Sequence, residues 1–276
     1  MGTAPESTVG QGTYATGFYE GQLDGSLRSA EVVVPWLIDL VRPASVLDVG
    51  CGVGTWLRAF VGRGVTDVVG VDGDYVDRSL LQIDPEAFRP TDISRPLDLG
   101  RRFDLVISLE VAEHLDAGDA DNLVDSIVRH GDVVAFSAAV PFQGGTHHVN
   151  ERWPDYWIDK FAARGYACLD ILRPTLWDRP EVEYWYAQNL FLFVAEDELA
   201  GERWATARSL PTFNHVNAIH PRLYQAQHQP APLAVMGPKA QAAIVRQSLR
   251  DLGRVAASMP GSVYRATRKR WDARRR

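Results

Sequence analysis

The chain has 276 residues, 46% of them hydrophobic, with a net charge of −6; that length supports one good core with residues left over for a lid or extension. No apolar run approaches bilayer-spanning length, the first residues lack the basic and apolar regions of a secretory signal, and two cysteines cannot build a disulfide framework, so the sequence predicts a soluble protein in a reducing, cytoplasmic setting. Residues 265–276 hold seven Lys/Arg against one Asp, leaving a net of −12 on the rest, and an acidic body disfavours a large nucleic-acid footprint.

In chain order, apolar spacing predicts a helix over 27–41, with Pro35 expected to kink it or delay its start. Then come a strand at 45–49, a helix at 55–61 and a strand at 67–71. A strand at 103–109, a helix at 119–129 and a strand at 132–138 follow. A helix at 153–164 and late strands at 166–172 and 190–195 complete the alternation. The pattern predicts an α/β fold with a doubly wound, mostly parallel sheet over residues 1–197. Residues 198–238 are rich in proline and read as a linker or lid. Residues 239–276 read as an amphipathic helix and basic tail, a C-terminal helical extension that packs on the core or on a second subunit. The tail reads first as a solvated helical end, and second as a contact for membrane headgroups.

Three acids mark successive strand ends. The stretch SVLDVGCGVGTW is strand, glycine turn and helix start, with Gly50, Gly52 and Gly54 letting backbone approach a ligand. The third glycine of a dinucleotide fingerprint would fall on Thr55 and is absent. Asp48 would repel a pyrophosphate there, and suits a ligand carrying an amino group or sulfonium; S-adenosylmethionine (SAM) has both. Asp72 closes the second strand, where a ribose diol would be held. Asp92 lies where a third strand should end, within reach of an adenine amino group. Singly, each acid is more often a turn or cap residue; in this order they reinforce one another.

LDVGCGVG, the acid of GVDGD, TDI and FDLVISLEVAEHL resemble motifs I to IV of class I SAM-dependent methyltransferases, over roughly residues 27–196. The resemblance implies a Rossmann-like seven-stranded sheet and SAM as cofactor. By it, Asp48, Gly50, Cys51 and Gly52 line the methionine end, Asp72 holds the ribose, and Asp92 and Ile93 hold the adenine. Leu109 lines the sulfonium, and Ser29 reaches the carboxylate.

After the fourth strand, Glu110, Glu113 and His114 fall within five positions. A single helical turn would aim both carboxylates one way, and oxygen ligands with an imidazole suit Mg²⁺ or Mn²⁺. A solvated first helical turn is the plain alternative. A hydroxyl acceptor explains the cluster, because its proton must leave and a positioned base adds about 10²–10⁴-fold. His147 and His148, after the fifth strand, offer one ligand and one base, in either order. E-x-x-E-H with a downstream His/Glu/Trp loop resembles the small-RNA 3′-terminal 2′-O-methyltransferases and the quinone-biosynthesis O-methyltransferases; mapped onto them, His148 matches the fourth ligand. HHVNERWPDYW and WYAQNLFLFV resemble, more loosely, saccharide methyltransferases.

Glu110, Glu113, His114 and His148 are thus the expected metal set, and His147, His148 and Glu110 the expected catalysts. Asn150 and Glu151 read as loop caps, Glu151 also as a group that could orient a histidine. Trp177, Tyr184, Trp185 and Tyr186 read equally as packing and as faces for a sugar or aromatic ring, with Arg152, Gln188 and Asn189 as polar contacts. The expected activity is metal-assisted O-methylation of a saccharide, glycosylated metabolite or other small-molecule acceptor, by a protein compatible with a homodimer. The alternatives are RNA 3′-terminal methylation and a non-catalytic SAM-binding partner subunit.

Overall fold

A computed structural model describes residues 14–228. The first helix, α1 (Tyr14–Val41), runs unbroken through Pro35. Proline has no N–H for the carbonyl four residues back, which here is that of Glu31. Arg63 supplies the missing donor: its guanidinium reaches the Glu31 carbonyl at 2.9 Å and the Glu31 carboxylate at 2.6 Å. A partner remote in sequence therefore removes the expected break.

The chain continues as β1 (Ser45–Val49), α2 (Thr55–Val61), β2 (Asp67–Asp72), β3 (Phe88–Pro90) and β4 (Leu105–Leu109), then α3 (Ala120–His130) and β5 (Val133–Ser137). Next are α4 (Pro154–Ala162), β6 (Tyr166–Leu169), α5 (Arg173–Leu176), α6 (Tyr184–Asn189) and β7 (Phe191–Ala195), followed by α7 (Glu196–Leu199) and α8 (Pro221–His228). The seven strands stand in the order β3-β2-β1-β4-β5-β7-β6. All neighbours are parallel except β7, which runs against both β5 and β6. The expected doubly wound sheet is present, and no described helix is long and apolar enough to cross a membrane.

Alternate strand residues feed two cores. Leu105, Ile107 and Leu109 join Leu37, Leu57 and Phe60 under α1 and α2. Val106, Phe136 and Phe193 join Leu123, Ile127 and Phe161 under α3 and α4. The period-2 alternation of a strand buried on both faces produces this division. Between β7 and α8 the chain stays against the body. Trp204 is fully buried, and the buried Arg173 grips Asp170 through two bonds while donating to the Val216 carbonyl.

The strand order fixes where a ligand can sit. The chain builds outward from β1 to β3, then returns to β4 on the opposite flank of β1. A crevice opens at the carboxyl ends of two strands whose connections depart in opposite directions. The glycine turn after β1 and the Glu-rich segment after β4 both lie at that end of the sheet.

Candidate functional site

Gly50 sits at φ +85°, in the left-handed region, and a Cβ there would collide with Val111. The turn therefore rests directly on the segment between Glu110 and Glu113. The Gly50 and Cys51 amides donate to the Val71 carbonyl, tying the turn to the end of β2. Asp48 is buried, and its Oδ2 has no hydrogen-bond partner. Burial, then the neighbouring charge of Asp72, raises its pKa well above the usual carboxylate range. An unpaired buried carboxylate in a ligand crevice suits a cationic partner.

Asp72 accepts from the Gly52 amide through Oδ2 at 2.7 Å, and from the Gly73 amide and Tyr75 hydroxyl through Oδ1 at 2.7 and 2.5 Å. Asp92 is exposed; it caps its own turn through Ser94 and pairs with Arg95, and the Ser94 bonds lower its pKa. Ile93 is half-buried, while Leu109 and Cys51 are buried. Ser29 is fully buried; its hydroxyl donates to the Gly25 carbonyl and accepts from the Glu183 amide.

The segment after β4 is shaped differently from the expected helical turn. Glu110 takes φ +56°, and only Ala112–His114 forms a single 3-10 turn. The two carboxylates nevertheless meet, and a side-chain hydrogen bond to Glu110 helps to raise the Glu113 pKa. Glu110 accepts from Gln143 Nε2 at 2.7 Å and Asn189 Nδ2 at 3.1 Å, and Gln143 also accepts from Asn189. Burial raises the Glu110 pKa against the lowering by these bonds. Gln188 and Asn189, offered by the sequence as acceptor contacts, are buried and spend their amides in this network. Gln143 belongs to no motif, and its one signal in the sequence is its place in the loop after β5, six residues past Ser137.

Glu113 is fully buried, and neither of its carboxylate oxygens has a hydrogen bond of good geometry. Burial, and then the charge of Glu110, raises its pKa well above the ordinary range. Beside it stand His114 and His148, whose rings meet edge to face with centroids 4.9 Å apart. One ligand atom from each of Glu113, His114 and His148 lies within 4.8 Å of the others. Glu110 lies outside this trio, and the His147 side chain is exposed.

The two imidazoles are held from behind. The His147 backbone hydrogen-bonds the His114 ring, whose pKa is lowered mainly by burial and then by His148. His148 Nδ1 lies 3.0 Å from Glu151 Oε1. The same carboxylate accepts from the amides of Phe142 at 2.7 Å and Gly144 at 2.8 Å. Gly145 leaves room for the His148 ring, with which a Cβ would collide. Among the described non-glycine residues, four have positive φ; three of them, Glu110, Phe142 and His147, surround this cluster. Such concentrated strain marks a segment held for its geometry.

The donor set fits a divalent cation. Two ligands about 2.1 Å from one ion stand at most about 4.2 Å apart, so the widest pair needs only a small inward shift. The Glu113 oxygens are the strongest indication, because they are fully buried beside the Glu110 carboxylate with no hydrogen bond of good geometry to offset their charge. Two nitrogens to one oxygen favour Mn²⁺ or another imidazole-tolerant ion over Mg²⁺. Asp72 contributes to the electrostatics of His114, and Val111 touches the glycine turn, so the two clusters form one crevice. The aromatic stretch behind it is chiefly packing: Tyr186 is buried edge-on to Trp56, and Trp177 packs on Phe213 and His220.

Residues 29–165 match a family model described as a methyltransferase domain. Among solved structures, the chain is similar to the sugar N-methyltransferase KedS8 from Streptoalloteichus sp. ATCC 53650, with a TM-score of 0.52 and 19% identity, covering 71% of this chain and 98% of that one. It is also similar to DesVI of Streptomyces venezuelae, with a TM-score of 0.50 and 16% identity, covering 68% of this chain and all of that one. No curated protein matches the sequence. At these identities the structural likeness is one of fold.

Proposed function

We propose that this chain, with its methyltransferase domain at residues 29–165, is a SAM-dependent methyltransferase that methylates a hydroxyl, with a sugar-bearing small molecule as acceptor. The observation that carries the hydroxyl reading is the buried, unpaired Glu113 carboxylate beside His114 and His148. KedS8 is described as a sugar N-methyltransferase, which supports a sugar acceptor. An amine already offers its lone pair, whereas a hydroxyl must lose a proton to become a good nucleophile.

When bound, SAM supplies a methyl group activated by its sulfonium, and a divalent cation supplies Lewis acidity that makes a neighbouring hydroxyl more acidic. Asp48 holds the ammonium of the methionine moiety, and the glycine turn lets backbone approach it. Asp72 accepts from the ribose, with Asp92 and Ile93 toward the adenine. Glu113, His114 and His148 hold the cation. Glu110, kept in place by Gln143 and Asn189 with its pKa raised by burial, takes the hydroxyl proton on a carboxylate oxygen. A carboxylate with raised proton affinity is the better base near neutral pH.

The test is methyl transfer by purified protein to a panel of free and nucleotide-linked sugars, with Mn²⁺ and with EDTA, read by mass spectrometry. An O-methylated product lost on chelation is expected. An N-methylated product formed equally well in EDTA would refute the hydroxyl reading.

A further inference from the structure

The inference rests on the cofactor reading above and concerns how a nucleoside reaches Asp72. A carboxylate offers about four lone-pair positions on its two oxygens. On Asp72, Oδ1 already accepts from the Gly73 amide and the Tyr75 hydroxyl, while Oδ2 accepts from the Gly52 amide. One position is left, and a ribose diol brings two hydroxyls. One of the three present donors must therefore give way for both to be bound. The Gly52 and Gly73 amides belong to the turns at the ends of β1 and β2 and cannot leave without undoing them. The phenol can: Tyr75 is 80% exposed, and its ring lies across Gly73, where a Cβ would strike it.

We propose that Tyr75 is a nucleoside-site residue whose hydroxyl occupies the diol's position on Asp72 and is displaced by the ribose. Two backbone amides keep the carboxylate oriented when the phenol departs, so removing the hydroxyl does not misplace Asp72. The phenol then acts as a competitor internal to the chain, and its bond to Asp72 is given up each time a nucleoside binds.

Calorimetric titration of S-adenosylhomocysteine into wild type, Y75F and D72N tests the assignment. The phenylalanine retains the ring and loses only the competing hydroxyl, so its affinity should rise roughly 10- to 150-fold, the range for one hydrogen bond to a charged group. D72N should weaken binding. Unchanged or weaker affinity in Y75F, with wild type binding normally, overturns the Tyr75 assignment and leaves the cofactor reading standing. Absence of binding in both wild type and Y75F, with native circular dichroism, overturns the cofactor reading and the assignment with it.

Discussion

The Glu151 carboxylate lies 3.0 Å from Nδ1 of His148 while accepting the backbone amides of Phe142 and Gly144. One side chain thus fixes the tautomer of an imidazole and the path of the loop that carries it. A donor at Nδ1 leaves Nε2 as the coordinating atom, the usual arrangement behind a metal-bound histidine.

Removing that support should loosen the cation without touching the cofactor. In E151A, Mn²⁺ affinity measured by electron paramagnetic resonance should fall about 10- to 100-fold. S-adenosylhomocysteine affinity should stay within about twofold. Equal loss of both would mean the loop collapses, and the role assigned to Glu151 would be wrong.

Glu113→Gln removes the buried charge together with the oxygen ligand. Mn²⁺ binding and methyl transfer should both disappear. Without cation, the variant should melt higher than wild type, because an unpaired buried carboxylate no longer has to be accommodated. Differential scanning fluorimetry with and without Mn²⁺ reads both effects, and a lower melting temperature for the cation-free variant would count against the present account.

Asp48 should make the free protein sensitive to pH. Its folded pKa is raised by burial and by Asp72, above an unfolded value of about 3.9. The stability contributed by the bound proton is fully present below that value and is lost as pH rises through the folded pKa. D48N should flatten this part of the melting profile and lower S-adenosylhomocysteine affinity at least about tenfold. Ligand binding to wild type should release a proton, since an ammonium favours the ionised carboxylate. Titrations in buffers of different ionisation heat will show the release, or its absence.

The Glu110 network predicts a stability cost away from any ligand. Asn189→Ala leaves Glu110 and Gln143 short of a buried donor, at about 1–3 kcal/mol. Urea unfolding should report that loss, and methyl transfer should slow as Glu110 loses its fixed orientation. An unchanged unfolding midpoint would remove the basis for a preorganised Glu110.

Gly50→Ala joins a left-handed residue to a collision with Val111. The backbone alone costs about 1–2 kcal/mol. Because Val111 lies between Glu110 and Glu113, S-adenosylhomocysteine and Mn²⁺ binding should weaken together. Independent responses at the two ligands would show that the crevice is not one unit.

Much of the fold was legible because it depends on local pattern. Short apolar runs marked the buried strands β1, β2, β4 and β5, and the acids and glycines at their ends marked one edge of the sheet. Helical spacing fell short where backbone conformation changed at a single residue. Glu110 and Glu113 are three apart and their carboxylates meet, but through a left-handed Glu110 and a single 3-10 turn, with Gln143 and Asn189 holding Glu110. Those partners come from β5's loop and α6, distant in sequence, and no spacing rule connects them. The adjacent histidines were separable only by backbone: His147, at φ +61°, stays outward while His148 turns in. Likewise, Pro35 signalled a broken helix because its rescuer, Arg63, lies in a different element.

That rescue makes the first helix dependent on a single cation borrowed from beyond the end of α2. Arg63 serves both the orphaned carbonyl and the side chain of Glu31, a double grip that the point charge of lysine cannot reproduce. Without it, Pro35 would become a joint, and the portion of α1 carrying Ser29 and Arg28 could swing away from Glu183. A substitution in the turn after α2 would then register as slack around Ser29 and Glu183, with both of those residues unchanged.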